Sequence, residues 1–104
     1  MKSSEILNQA ANILIHSDIT TGACAKFNKI PCEVNNPLAN CFCISGAIRL
    51  VTGFYNDFQI DYTKENYYKA ANLFCQRAKT IQIMDWMDNG KRTLKECIDI
   101  LKLV

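Results

Sequence analysis

Six cysteines and one histidine are the residues of this 104-residue chain with the strongest claim to chemistry. Cys41 and Cys43 lie just ahead of Ser45-Gly46-Ala47, on a stretch read as the first half of a helix, where unpaired amides lower a thiol pKa. A thiol nucleophile there needs a base, and His16 is the single imidazole available. The pattern places His16 near the C-terminal end of its helix, where the dipole favours the imidazolium and weakens a general base. The plainer reading makes Cys43 a small core residue beside Gly46 and Ala47, and His16 a helix-end cap. The chain therefore reads as leaning away from catalysis.

A metal site would have to come from Cys24, Cys32, Cys41 and Cys43, whose spacings of eight, nine and two positions match no common zinc ribbon or finger. On a regular helix Cys41 and Cys43 would point about 200° apart, too far to share an ion. No metal and no cofactor are expected, and a Cys24–Cys32 disulfide is disfavoured in a reducing cytosol. No glycine-rich phosphate loop, nucleophile elbow or helix-borne histidine pair is present. Asp57, Asp61 and Glu65 fall in one segment, but they read as a solvated face with helix-start acids rather than an acid–base pair.

Two stretches remain as binding surfaces. Seven of the ten aromatic residues lie between Phe54 and Phe74. Among them Tyr55, Phe58, Tyr62 and Tyr68, with Asp57 and Asp61, form an aromatic-acidic surface of the composition found at interfaces. The second is the turn from Trp86 to Arg92, with Asp88. Here Trp86 reads first as a core anchor and Arg92 as a contact to turn carbonyls or a nearby carboxylate.

The elements that must position these residues read as helical. Ser3 or Ser4 caps a first helix carrying Ile6, Leu7, Ala10, Ala11, Ile13 and Leu14 on one side, to about His16. Residues 23 to 34 read as two short extended pieces around Asn28-Lys29, a small hairpin or an ordered loop, with Pro31 limited to an edge. Asn35-Asn36-Pro37 reads as a helix start, opening a central helix to about Thr52 with Gly53 as its C-cap. Gly46 inside that helix would cost about 1 kcal/mol relative to alanine, so a close backbone neighbour is expected there. Thr63 starts the next helix, which ends near Lys79. Ile81 to Met87 makes one or two helical turns closed by Asp88-Asn89-Gly90. Thr93 with Glu96 forms a capping box for the last helix. The expectation is a single all-α domain over residues 1–104, four main helices with a hairpin-like insertion after the first.

Composition sets the outer bounds. At this length folding buries roughly two thirds of the chain's surface, enough for one core. The formal charge of +2 is spread along the chain, so a basic stripe for nucleic acid is unsupported. No run reaches the roughly 18 apolar residues of a membrane span, and a cytosolic location with reduced cysteines is expected.

Gly22-Ala23, Pro31 with Val34, Phe42-Cys43-Ile44-Ser45-Gly46-Ala47-Ile48, Trp86-Met87-Asp88, Arg92-Thr93, and Glu96-Cys97 with Ile100-Leu101 keep the order and spacing of a known pattern over about 80 residues. The chain resembles a group of small, functionally uncharacterised domains common in phages and actinobacteria. Their pattern has a Trp-Cys-x-x-Gly-Ala-Leu core helix and a Trp-Asn-Asp turn before an Arg-Thr helix start. Phe42 and Met87 depart from it, standing where the family has Trp and Asn. The resemblance implies an all-helical fold and a phage or mobile-element association, without a known activity. The resulting expectation is a non-catalytic interaction protein, most concretely an inhibitor of a host defence protein. The alternative is a small-molecule binder with a pocket between the Gly22-Ala23 loop, the central helix and the Trp86–Arg92 turn. It would hold a nucleotide-like ligand, with Arg92 facing phosphate and Trp86 stacking.

Overall fold

The structure is a computed structural model that describes residues 1–90 and 92–103. Lys91, part of the turn expected between Trp86 and Arg92, and Val104, the end of the expected 1–104 domain, lie outside the described residues. In chain order the elements are α1 (Ser3–His16), β1 (Asp18–Ile19), β2 (Ala25–Phe27), β3 (Ile30–Pro31), β4 (Cys41–Phe42), α2 (Ile44–Thr52), α3 (Tyr62–Ala78), α4 (Ile83–Gly90) and α5 (Leu94–Leu101).

The expectation of an all-α fold is overturned. Five helices and a four-stranded mixed sheet make up the described residues, an α+β arrangement. The strand order is β1-β4-β2-β3, with β1 parallel to β4 and the other pairs antiparallel. The error lies in residues 37–43, read as the first half of the central helix. Their backbone groups are taken by neighbouring strands instead. Asp18 and Thr20 amides donate to the carbonyls of Asn40 and Phe42, while the Asn40 and Cys43 amides donate to Lys26 and Cys24 carbonyls. A backbone group committed to a ladder on either side is not available for i→i+4 bonding. The Asn36 side chain caps only a local turn, accepting from the Leu38 amide at 2.9 Å, and α2 begins seven residues after Pro37.

The hairpin forms where expected. Asn28 and Lys29 take positive φ values of 50° and 72°, the pair a tight two-residue hairpin turn requires, and Pro31 sits in the edge strand β3. It is one half of the sheet rather than an insertion.

α1 packs against α2, α3 and α5, through its buried face Ile6, Leu7, Ala10, Ala11 and Leu14. The organising helix is therefore α1, whereas α2 touches α1 and α3 and continues from β4. Asp61 caps α3, accepting from the Thr63 amide at 3.0 Å, so that helix starts one position before Thr63. Asp88-Asn89-Gly90 belongs to α4 rather than to a turn after it. Gly53 closes α2 in the left-handed conformation, and Thr93 and Glu96 form the capping box of α5.

Candidate functional site

The region with the most built character lies where β4 runs into α2. Cys43 is the N-cap of α2, and its sulfur accepts from the Gly46 amide at 3.2 Å. Gly46 is needed for the reason its position suggests. A Cβ there would stand 1.9 Å from the carbonyl oxygen of Cys24, so the start of α2 lies directly on the strand-side backbone. That contact brings the 21–24 loop, the N-terminus of α2 and α4 around one hollow.

The hollow has a volume of about 490 Å³. Gly22, Ala23, Ile83, Met84 and Met87 give it an apolar wall, while Thr21, Ser45 and Asp88 supply oxygen atoms and Cys24 and Cys43 supply sulfur. A smaller hollow of about 330 Å³ adjoins it, lined by Thr21, Met87, Asp88 and Arg92. An apolar enclosure of this size with a few convergent polar groups is the usual form of a small-ligand site.

The two thiols line the same hollow and shift each other's titration. The Cys24 thiol is lowered to about 6, first by the neighbouring Cys43 thiol. Burial opposes this, while the Arg49 charge and the Ser45 hydroxyl add to it. The same contact pushes the Cys43 thiol far up, because losing its proton would leave two thiolates side by side. Beyond them, Ser45 and Tyr67 hydroxyls are 2.5 Å apart. The Arg49 guanidinium lies over the Phe54 and Tyr67 rings, 4.6 and 5.0 Å from their centroids, and pairs with Asp57 at 2.8 Å. Its buried Nε has no hydrogen-bond partner among the described residues.

The candidates read from sequence separate. Cys43 and Asp88 line the larger hollow, and Arg92 lines only the smaller one. His16 is exposed at the end of α1 and lines neither. Because β1 runs parallel to β4 with Asp18 opposite Cys41, His16 precedes the end of β4 remote from Cys43. Trp86 is buried, its ring edge-on to Phe74 and covered by the Arg92 guanidinium at 4.3 Å. Arg92 also donates to the Trp86 carbonyl at 3.0 Å, so Trp86 has no free face for stacking a base.

The aromatic-acidic candidates lie elsewhere. Phe58 and Tyr62 are 93% and 73% exposed, Tyr68 is half exposed and Tyr55 partly buried. Asp57 holds Arg49 and Asp61 caps α3, so each carboxylate has a structural partner. None of these residues lines either hollow. Cys24, Ser45, Arg49 and Tyr67 are the members that sequence reading did not assemble. Their signal is the β2–β4 register, which nothing local in the chain specifies.

Among the described residues no group of three or more His, Cys, Asp or Glu side chains is placed to hold a metal ion. No helix among them is long and apolar enough to cross a membrane. A family model described as a family of unknown function, DUF6197, matches residues 1–103. No curated protein and no solved structure matches the chain.

Proposed function

We propose that this chain, which belongs to the DUF6197 family of unknown function, binds a small ligand in the hollow between the 21–24 loop, the start of α2 and α4. One observation carries the reading: three segments far apart in sequence converge on one hollow whose wall is apolar and whose polar atoms are few. The chemistry of that wall defines the ligand. Met84, Met87 and Ile83 accommodate an apolar body of variable shape, the thiols favour a soft or sulfur-containing group, and Asp88 at the rim favours a donor or cation over a phosphate. A nucleotide held by Trp86 stacking is the less suitable occupant, since Trp86 is already covered on its face and edge.

The test uses the methionines, of which the chain has three, Met1, Met84 and Met87. In a fragment screen read by ¹³C-methyl spectra, binders move the Met84 and Met87 signals and leave Met1 in place. A screen in which hits move Met1 alike, or move none of the three, removes the cavity reading.

A second reading is favoured by the surface on the other side of Arg49. Phe58, Ile60 and Tyr62 are 93%, 89% and 73% exposed within five residues, and exposed aromatic clusters with an acidic rim suit protein contacts. On this reading the chain is a phage or mobile-element protein that occupies a host protein, most concretely one of host defence, in the host cytosol. Phe58→Ala with Tyr62→Ala then abolishes capture of a specific partner from host lysate. Unchanged capture by the folded double variant counts against it.

A further inference from the structure

Strand register places two thiols together at the floor of the hollow. β2 and β4 pair with Ala25 opposite Phe42 and Lys26 opposite Cys41. Continuing that register one step past the ends of both strands sets Cys24 against Cys43, and the Cys43 amide donates to the Cys24 carbonyl at 3.1 Å. Residues opposed across an antiparallel pair have Cα atoms about 4.5–5.5 Å apart, within the range of about 4.4–6.8 Å that a disulfide spans. Their side chains leave the same face of the ladder. Both are free thiols, both are partly accessible, and both line the hollow.

We propose that Cys24 and Cys43 are a thiol–disulfide exchange pair whose substrate is a low-molecular-weight disulfide seated in the hollow. The Cys24 thiolate attacks one sulfur of the small disulfide. The sulfur–sulfur bond breaks, a small thiolate leaves, and Cys24 carries the other half as a mixed disulfide. The Cys43 sulfur then attacks the Cys24 sulfur, its proton passing to solvent or to the departing group. A Cys24–Cys43 disulfide forms and the second small thiol leaves. Two protein thiols lose two electrons and two protons, and the small disulfide gains both to become two thiols. Two small thiols run the sequence backwards, and no metal or further oxidant is required.

The surroundings assign the roles. Cys24, lowered to about 6 by the Cys43 thiol, is largely thiolate at neutral pH while keeping useful nucleophilicity. Cys43, pushed up, keeps its proton until Cys24 is capped and no longer negative. At that stage the Gly46 amide, aimed at the Cys43 sulfur from the first turn of α2, stabilises charge developing there. The absence of His16 from the hollow does not impede this chemistry, because the attacking thiol needs no separate base.

The inference rests on the cavity reading only for where the small disulfide sits, and the test keeps the two apart. In the full chain carrying Cys32→Ser and Cys41→Ser, tryptic cleavage after Lys26, Lys29 and Arg49 puts Cys24 and Cys43 in different peptides with no other cysteine. Treated with 2-hydroxyethyl disulfide at pH 7, this protein yields the two peptides joined and lighter by two hydrogens. Adding Cys43→Ser instead traps the mixed disulfide on Cys24, and adding Cys24→Ser gives neither product. Serine is itself a favoured N-cap, so Cys43→Ser retains α2, which circular dichroism checks. In the unmodified chain, iodoacetamide labels Cys24 at least about tenfold faster than Cys32 or Cys41, and Cys43→Ala, which leaves no donor at that position, reduces that advantage. Folded protein that forms no Cys24–Cys43 link, or Cys24 labelling no faster than Cys32, overturns the proposal. Fragment-induced Met84 and Met87 shifts in such a protein would leave the cavity standing without the thiol chemistry, and exchange without such shifts would leave the pair without the ligand.

Discussion

The hollow at the start of α2 and the aromatic segment after its end differ in how far their residues travel along the chain to meet. The hollow draws on residues 21–24, 43–45 and 83–88, and it exists because a ladder of a few hydrogen bonds and one glycine contact hold those segments in register. The aromatic segment is continuous, and its members sort simply by direction. Phe54 turns inward and is 1% exposed, while Phe58 four residues later is 93% exposed. A concave site made from distant segments depends on backbone placement, whereas a convex surface made from neighbours depends on side chains that the fold does not use. Substitutions should divide along that line.

The largest effect belongs to the one aromatic residue of residues 54–62 that is fully in the core. Phe54→Ala removes a side chain packed on Tyr67, with ring centroids 5.3 Å apart, and under the Arg49 guanidinium. It should cost about 3–5 kcal/mol in urea unfolding. Phe58→Ala should change stability by less than about 0.5 kcal/mol. If Phe58→Ala destabilises comparably to Phe54→Ala, the segment is part of the core and the contrast with the hollow collapses.

A smaller effect separates two glycines of the same helix. Gly46→Ala drives a methyl group into the Cys24 carbonyl and should cost roughly 3 kcal/mol, because strand-side backbone has to move. Gly53→Ala meets only Thr63 Cγ2 at an ordinary 3.6 Å, and its penalty comes from the φ of +79°, about 1–2 kcal/mol. Gly46→Ala should also open the Cys24–Cys43 pairing, slowing iodoacetamide labelling of Cys24, while Gly53→Ala leaves that rate unchanged. Equal costs and equal rates would mean that the hollow does not depend on this contact.

What the sequence disclosed follows the same division between local and distant causes. The Gly53 C-cap, the Thr93–Glu96 capping box, the Asn28-Lys29 turn and the buried face of α1 are each decided within one or two turns of chain, and each is legible. The need for close backbone at Gly46 is legible too, although the partner, Cys24, is not. Strands β1 and β4 are two residues long, too short for any alternation. Their pairing is with residues 15 to 23 positions away, so Asn36-Pro37 reads as a helix start with no local signal against it. That error moved Cys43 from the N-cap of α2 into the first half of a longer helix. It also hid the opposition of Cys24 and Cys43, which period-two register makes plain once the strands are known.

The subtlest difference between the two regions is in the pH at which each responds. Asp57 and Asp61 are held below the usual carboxylate value of 3.8, the first chiefly by the Arg49 hydrogen bond and the second chiefly by the Thr63 hydroxyl. A carboxylate lowered on folding stabilises the fold fully above its unfolded value and loses that contribution as the pH falls through the lowered one. The aromatic segment should therefore loosen only below pH 3.8. The Thr63 amide, which donates to Asp61, should report this by shifting in that range and by faster exchange. At the other end of α2 the Gly46 amide donates to the Cys43 sulfur, against which Cys24 titrates at about 6. Its resonance should move near pH 6 and stay still below pH 4. Asp61→Asn should remove the acid step at Thr63 and spare the step at Gly46, and Cys24→Ser should do the reverse. A Gly46 amide that is flat from pH 5 to 8 would take the thiolate out of the hollow, leaving a cavity with two ordinary cysteines and no chemical asymmetry between the ends of α2.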